Sequence, residues 1–147
     1  MALEIASITT QEQLEEALQI RKEVFVEEQH VPLEEEIDGY DQLGDQVHHL
    51  LVFEGDRAVA TARLIYYDDA TAKLQRVAVL KEERSKGYGR VILLALEQRA
   101  RELGLRFALL DAQCQALGFY EKLGYITISD EPFDDAGIPH VRMQKEL

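Results

Sequence analysis

The pattern of apolar and polar positions changes period along the first third of the chain. Residues 3–8 alternate as in a short β-strand, and Thr9 and Glu12 then form a capping-box pattern, which starts a helix. The next positions follow helical spacing: Leu14, Ala17, Leu18, Arg21, Val24 and Phe25. Because Val31 and Pro32 interrupt this pattern, we expect the helix to end before them. The acidic residues 34–41 are expected to form an irregular or briefly helical segment that ends in turn residues.

The middle of the chain is rich in β-branched and aromatic residues. Two such runs, at residues 47–53 and 58–67, flank Gly55 and Asp56, which favour a hairpin turn, and a third run covers residues 73–79. Short connections of this kind join antiparallel neighbours. The sequence therefore predicts an antiparallel meander.

Helix and strand signals alternate in the last third. A helical period begins at Tyr88 and stops at Gly104, a residue typical of helix C-termini. The remaining patterns predict a buried strand, a helix and two further strands, at residues 107–110, 115–123, 125–128 and 138–144. Pro139 places the last of them at an edge or beside an antiparallel partner. This order predicts an α+β (mixed α/β) fold, with residues 1–147 forming one domain.

Composition narrows the function classes. The chain has 147 residues, 46% apolar content, one cysteine and a formal charge of −12. Its apolar runs are far shorter than the roughly 18 residues of a membrane helix, and its start lacks a basic and apolar leader, so we expect a cytoplasmic protein without a membrane partner. One cysteine excludes an internal disulfide or a multi-cysteine zinc site, and the negative charge argues against nucleic acid as a partner.

The charge is unevenly distributed along the chain. Residues 1–56 hold fifteen acidic and two basic side chains, whereas residues 73–106 hold nine basic and four acidic ones. Such asymmetry suggests two ligand portions of opposite sign. The plainer explanation is that these charged side chains lie on solvated surfaces, and the charge distribution alone favours this explanation.

A glycine-containing loop precedes the predicted helix at Tyr88. Residues 84–90 read Arg-Ser-Lys-Gly-Tyr-Gly-Arg, and glycines before a helix let backbone amides approach an anion such as a phosphate. The loop lacks the Gly-Lys-Ser/Thr ending of a P-loop, and Ile92 stands where a dinucleotide fingerprint has its third glycine. By its residues alone, the loop is either a phosphate site or a tight turn.

Two motifs in register resemble the GCN5-related N-acetyltransferase (GNAT) superfamily. Residues 84–89 resemble the family's R/Q-x-x-G-x-G/A loop, and residues 113–125 resemble its N-x-x-A-x-x-x-Y-x-x-x-G-F/Y pattern, with Tyr120 at the tyrosine position. The resemblance extends over residues 3–145 and implies the GNAT fold, with an acyl-CoA cleft at splayed central strands. Further segments are similar to a YjcF/ElaA-like bacterial branch: residues 21–29, 31–32, 36–38 and 137–140.

The resemblance implies acetyl-CoA as the acyl donor. It assigns the donor's pyrophosphate to the loop and its pantetheine arm to the preceding strand and the second motif. The residues implied are Val77, Ala78, Val79, Arg84, Ser85, Lys86, Gly87, Tyr88, Gly89, Arg90, Gln113 and Phe119. Gln113 replaces the family's asparagine, so the hydrogen bond to pantetheine either shifts by a methylene or is lost.

Acyl transfer of this kind needs an oxyanion donor, an acid for the leaving sulfur and a base for the amine. The resemblance gives the first role to a backbone amide within residues 77–79. It gives the second to Tyr120, a phenol whose ordinary pKa of about 10 keeps it protonated at neutral pH. Packing on an apolar helix is the alternative role for Tyr120 and Phe119. A water chain is one route for the base, and the acidic first third offers side chains for the base and for a cationic acceptor: Glu28, Glu36, Asp38 and His49.

The other reactive side chains suggest no further chemistry. Cys114 lies inside the second motif, where a small buried residue is usual. His48 and His49 leave opposite faces of one predicted strand and cannot share a metal ion, and His30 and His140 are isolated in the sequence. We therefore expect no metal site.

The predicted function is transfer of an acetyl group from acetyl-CoA to a primary amine of an unidentified small-molecule or peptide acceptor. A non-catalytic acyl-CoA-binding or sensing module and a nucleotide-binding protein that uses the same loop are the alternatives. Arg63 and Arg76 are expected to form ion pairs or to meet an acidic group of the substrate. Formation of a homodimer stays open.

Overall fold

The computed structural model describes residues 3–147, which form a mixed sheet with helices on both faces. The strands are β1 (Leu3–Ser7), β2 (Val47–Glu54), β3 (Arg57–Tyr66), β4 (Thr71–Val79), β5 (Phe107–Gln113), β6 (Ile126–Thr127), β7 (Phe133–Asp135) and β8 (Ile138–Glu146). The helices are α1 (Gln11–Arg21), its π-helical continuation (Lys22–Glu28), α2 (Leu33–Glu36), α3 (Tyr88–Glu102) and α4 (Leu117–Lys122). The predicted mixed α/β class is confirmed.

The strand order in the sheet is β1-β2-β3-β4-β5-β8-β6, and β7 pairs with β8. The pair β4 and β5 is parallel because α3 crosses between them, and the other pairs are antiparallel. The meander predicted for residues 47–79 is therefore present. Pro139 pairs with Asp134 of β7, so the expected antiparallel partner of the last strand is also present.

Alternation along the strands gives each face its own core. Leu50 and Val52 of β2 belong to the apolar cluster around α3, whereas Leu51 between them packs in a smaller cluster with Ala17 and Ile20 of α1. We call the side of the sheet that packs against α3 the α3 face and the other side the α1 face. All five side chains are less than 5% exposed.

Some local details differ from the sequence-based expectation. The N-cap of α1 is Thr10, not Thr9: its hydroxyl accepts from the amide of Gln13 at 3.2 Å, and the Gln13 carboxamide accepts from the Thr10 amide at 3.3 Å. A glutamine thus completes the capping box that had been expected of Glu12. The predicted first helix also continues through Lys22–Glu28 in π-helical form. The pattern had not predicted β7, a three-residue strand with two aspartates.

The sheet opens between β4 and β5. Their pairing covers three residue pairs and ends at Lys73 and Leu109. On the other side of β4 the register to β3 shifts by one residue, and Arg76 there has a φ of +57°. The backbone groups of residues 74–79 that point toward β5 therefore have no paired strand on that side. Among the described residues, no helix is long and apolar enough to cross a membrane.

Candidate functional site

The opening between β4 and β5 is the floor of a cavity of 620 Å³. The loop at residues 84–90 lies at one end, and the β7–β8 hairpin contributes Ala136, Ile138 and His140. The π-helix closes one side with Val24 and Phe25. This is the splayed cleft that the sequence led us to expect.

The loop presents backbone amides to the cavity. Ser85 and Gly87 have φ values of +71° and +84°, and a left-handed residue beside right-handed ones curves successive N–H groups around one point. Gly87 is the N-cap of α3, and no side chain in residues 3–147 caps this helix end. The first N–H groups of α3 thus remain available to an anion, which the helix dipole also favours.

The structure brings most of the predicted donor-binding residues together. Ten of them line the cavity: Val77, Val79, Arg84, Ser85, Gly87, Tyr88, Gly89, Arg90, Gln113 and Phe119. The side chain of Ala78 instead packs in the core beneath the π-helix. The Lys86 ammonium lies outside the lining and pairs with Glu83 at 2.7 Å.

Two contacts tie the π-helix to the cavity walls. Arg84 donates to both carboxylate oxygens of Glu28 at 2.8 and 2.9 Å, and its Nε donates to the Val79 carbonyl at 3.1 Å. On the opposite wall, the Gln113 carboxamide donates to Gln29 at 2.8 Å. The Gln113 side chain is therefore already engaged by the protein, and its contact with pantetheine stays a prediction.

Tyr120 lines the cavity, and its ring is packed among other aromatic side chains. The ring makes edge contacts with Phe119 and Tyr125 at centroid distances of 5.0 and 6.1 Å. The hydroxyl has no hydrogen-bond partner among the described residues and is not sealed from solvent. Burial raises the pKa of Tyr120 to about 12, so the phenol is protonated throughout the physiological range. Packing and proton donation are thus compatible in one side chain.

A buried ion network lies on the α1 face beside the cavity. Arg21 holds both Glu36 and Asp41 through hydrogen bonds of 3.0 Å or less. Arg63 donates to Asp38 at 2.7 and 2.8 Å and to Asp41 at 2.9 Å. The arginines hold the pKa of Asp41 down to about 2, although burial opposes them. The ion pairs expected for Arg63 are present, and most of the donors and acceptors in the network satisfy one another.

Arg76 is less completely bonded than the other two arginines. Its Nε lies 3.2 Å from the Glu36 carboxylate without the angle of a hydrogen bond, and its Nη2 makes contacts of 3.4 Å with Asp38 and the Glu35 carbonyl. Burial lowers the pKa of the guanidinium. Arg76 forms the ion pair expected for it and lines the cavity at the same time.

The four candidates for the base and the acceptor site have other contacts in the structure. Glu28 is held by Arg84, while Glu36 and Asp38 belong to the ion network. The buried His49 bonds to the Tyr40 carbonyl through Nε2 at 3.1 Å and lies outside the cavity lining. Glu36 alone of the four lines the cavity. Their acceptor roles stay predictions.

Sequence reasoning missed several polar residues of the cavity wall. Asp111 lines the wall and accepts from Arg142 at 2.9 Å, with the Lys73 ammonium 3.5 Å away. His140, expected to be isolated, lies directly opposite Gln113 in the pairing of β5 and β8. The missing signal was strand register, because residues that face each other across a ladder share one face of the sheet.

The candidate metal ligands in the described part of the chain are dispersed. No group of three His, Cys, Asp or Glu side chains in residues 3–147 could hold a metal ion. Cys114 is a half-buried free thiol.

Comparisons with known proteins agree with this geometry. Residues 6–147 match the family described as the Acetyltransferase (GNAT) domain. The uncharacterized N-acetyltransferase YjcF of Bacillus subtilis (strain 168) is 45% identical over 136 residues, which cover 92% of this chain and 94% of YjcF. The crystal structure of Escherichia coli ElaA is 31% identical and has a TM-score of 0.85, with 99% of this chain and 100% of ElaA covered.

A putative N-acetyltransferase from Lactobacillus plantarum has a TM-score of 0.91 and 30% identity, with 100% of this chain and 99% of that one covered. The family match over nearly the whole chain confirms the superfamily expected from the loop and the Tyr120 motif. The similarity to YjcF and ElaA confirms the branch expected from residues 21–29, 31–32, 36–38 and 137–140. The chain belongs to the GNAT acetyltransferases, in the branch that contains YjcF and ElaA.

Proposed function

We propose that this enzyme moves the acetyl group of acetyl-CoA directly to a primary amine of a small-molecule or peptide acceptor. The observation that carries the proposal is the continuity of one cavity from the uncapped N-terminus of α3, along the open edge of β4, to the hydroxyl of Tyr120. These three features suit a polyphosphate, an amide-containing arm and a departing thiolate in that order.

The donor's phosphates would lie against the amides at the start of α3. Arg84 and Arg90 line this end of the cavity; Arg90 adds positive charge, whereas the charge of Arg84 is paired with Glu28. The pantetheine arm would extend the sheet from β4, because backbone groups of residues 74–79 lack a partner strand on that side. A backbone amide beside the irregular pairing at Arg76 would donate to the thioester oxygen, as an oxyanion hole requires.

Tyr120 would protonate the sulfur that leaves. Its ring is fixed by aromatic contacts, so the hydroxyl has a defined position at the cavity wall. A pKa of about 12 keeps the proton on the phenol until a thiolate develops nearby. Phe119 lies on the same helix and comes near Gly89 of the loop, which links the acid to the phosphate end of the site.

The acceptor would enter from the α1 face. Of the fifteen acidic side chains in residues 1–56, Glu35 and Glu36 line the cavity, and Glu36 is paired with Arg21. The negative charge of the first third is therefore mostly displayed elsewhere or neutralised in pairs. We propose an amine acceptor because acetyl transfer to amines is the reaction of the family, and the charge count adds little to that argument.

A thiol-release assay tests the proposal. The wild-type chain is incubated with acetyl-CoA and each of four probes: spermidine, glucosamine, lysine and a peptide with a free α-amine. Release of free CoA together with an acetylated probe, identified by mass spectrometry, supports the proposal. Tight acetyl-CoA binding without transfer to any amine would favour the acyl-CoA-binding module, and ATP binding without acetyl-CoA binding would favour the nucleotide alternative.

Replacement of Tyr120 by Phe tests the acid. Phenylalanine keeps the packed ring and removes the proton, so we expect kcat to fall by about 10²- to 10⁴-fold with little change in the Kd for acetyl-CoA. Tyr67→Phe is the matched control, because Tyr67 is 49% exposed and lies outside the cavity lining. Equal kcat in wild type and Tyr120→Phe would contradict the assignment.

A further inference from the structure

The four side chains that the sequence suggested for taking the proton of the attacking amine do not present a free acceptor to the cavity. Glu28, Glu36 and Asp38 are occupied by arginines, and His49 lies outside the cavity lining. We propose that His140, at the start of β8, is the general base of the acetyl transfer. This inference rests on the proposed function and goes beyond it by naming the group that takes the proton.

The hydrogen bond of His140 fixes which ring nitrogen is basic. Its Nδ1 lies 2.7 Å from the carbonyl oxygen of Ile138. A carbonyl oxygen can only accept, so Nδ1 carries the hydrogen in this bond. In the neutral ring Nε2 then holds the lone pair, and the backbone contact keeps the ring in that tautomer. A base oriented by a second group is the usual arrangement in general-base catalysis.

The surroundings of His140 pack its ring into the cavity wall. The residue is 8% exposed and belongs to the cavity wall. The ring of Phe133 stacks on it at a centroid distance of 6.1 Å and an interplanar angle of 23°. Nε2 has no hydrogen-bond partner among residues 3–147 and is nevertheless not sealed from solvent. The small exposed part of a packed ring therefore includes its basic nitrogen.

Strand register places the base on the face from which the acceptor would enter. His140 is paired with Gln113, so the two side chains share the α1 face with Asp111, two residues earlier in β5. The neighbouring pair, Ala112 and Val141, belongs to the apolar cluster of the α3 face. The ring of Tyr120 packs against that same cluster. The base and the acid thus approach the opening from opposite faces of the sheet.

This placement matches the needs of the reaction. The amine nitrogen attacks the thioester carbonyl carbon with its lone pair, the new C–N bond makes that nitrogen acidic, and Nε2 of His140 takes its proton. The C–S bond then breaks, its electron pair leaves with sulfur, and the proton of Tyr120 goes to the thiolate. The products are the acetylated amine and CoA thiol. Solvent in the open cleft removes the proton from the imidazolium and returns one to the phenolate, which restores both groups.

His140→Asn is the variant that separates the base from the structural contact. The asparagine amide occupies the place of Nδ1–H and can donate to the Ile138 carbonyl, but it has no basic nitrogen. With the most active amine of the four probes, we expect kcat to fall by about 10²- to 10³-fold while the Kd for acetyl-CoA and the Tm stay near those of wild type. His48→Asn is the matched control, since His48 bonds to Tyr66 and lies outside the cavity lining.

His140→Ala provides a second measurement. It leaves a space the size of the lost ring, so added imidazole is expected to restore part of the lost turnover by supplying a base at that place. Equal kcat in wild type and His140→Asn, or no rescue of His140→Ala by imidazole, would contradict the role of His140 as general base. Neither result would contradict the proposed acetyl transfer. Absence of any transfer by the wild-type chain overturns both.

Discussion

The two faces of the central sheet are built on opposite physical principles. On the α3 face, Ile92, Leu93 and Leu96 have no measurable exposure and pack against apolar strand residues. On the α1 face, Arg21 and Arg63 are equally buried, at 1% exposure each, but they are charged. Burial of apolar area stabilises the first face, whereas on the second face the attraction between partners must offset the cost of removing charges from water.

The difference indicates what each face contributes to the enzyme. An apolar face tolerates small shifts of its side chains, but a network of bidentate arginines fixes angles as well as distances. The network holds Glu36 of α2 and joins it to Arg76, both of which line the cavity. We infer that the α3 face supplies most of the stability and that the α1 face fixes the shape of the acceptor side.

Replacing Arg21 with methionine gives the largest expected loss of stability. The variant leaves two carboxylates, those of Glu36 and Asp41, each without one of its partners in a buried position. Removal of one member of such a group costs about 3–5 kcal/mol, so we expect a loss of about 4 kcal/mol in the free energy of unfolding from urea denaturation. Lys22→Met, at the next position of the chain, is the control, and a loss below about 1 kcal/mol for Arg21→Met would mean that the network contributes little.

Leu96→Ala tests the apolar face with a slightly smaller expected effect. Leu96 has no measurable solvent exposure and belongs to the apolar cluster around α3. Truncation leaves a cavity and is expected to cost about 3 kcal/mol, within the range measured for buried leucines. Alanine has a higher helix propensity than leucine, so the whole expected loss of stability comes from lost packing. Leu94→Ala on the same helix is the control because Leu94 is 38% exposed; similar losses in the two variants would contradict the proposed core.

Acid titration of stability distinguishes the faces with the smallest expected effect. The folded-state pKa of Asp41 is lowered from 3.8 to about 2, so its contribution is complete above pH 4 and is lost as the pH falls toward 2. We expect protonation of Asp41 to lower the free energy of unfolding by about 2 kcal/mol. Glu36 acts in the opposite direction, because burial raises its pKa.

The measurement for Asp41 is urea denaturation of wild type and Asp41→Asn between pH 7 and pH 3. The two curves of stability against pH should begin to converge below about pH 4, because Asp41 of the unfolded wild-type chain, with the ordinary pKa of 3.8, takes up a proton there while the folded carboxyl, with a pKa of about 2, stays charged. Curves that stay parallel over this range would contradict the lowered pKa of Asp41. Leu96→Ala should run parallel to wild type, since its lost contacts carry no charge.

More of the residues proposed for the donor than of those proposed for the acceptor lie in the cavity wall. The loop and the Tyr120 motif are contiguous segments, so the residues that the resemblance implied for the donor are neighbours in the chain. The acceptor side combines Arg76, Asp111 and His140 from three strands. Their juxtaposition depends on strand order and register, which no local pattern specifies.

The acidic side chains of residues 1–56 also show what the sequence alone could not predict. Composition gave a strongly negative segment and suggested a surface for a cationic acceptor. The fold brings Glu36, Asp38 and Asp41 within reach of arginines 15 to 40 residues away in the sequence, and most of that charge is neutralised internally. Net charge is a property of the sequence, but its field at a site depends on which charges pair.

By itself, the sequence determined most of the elements of this protein and its family, because strand alternation, helix period and the two motifs are local properties of the chain. Tertiary structure alone decided which side chains meet across the opening between β4 and β5. The parallel pairing ends at Lys73 and Leu109, and the register of β5 and β8 sets His140 opposite Gln113. The sum of long-range contacts fixes both features, so the acceptor side of the cavity became visible only in the folded chain.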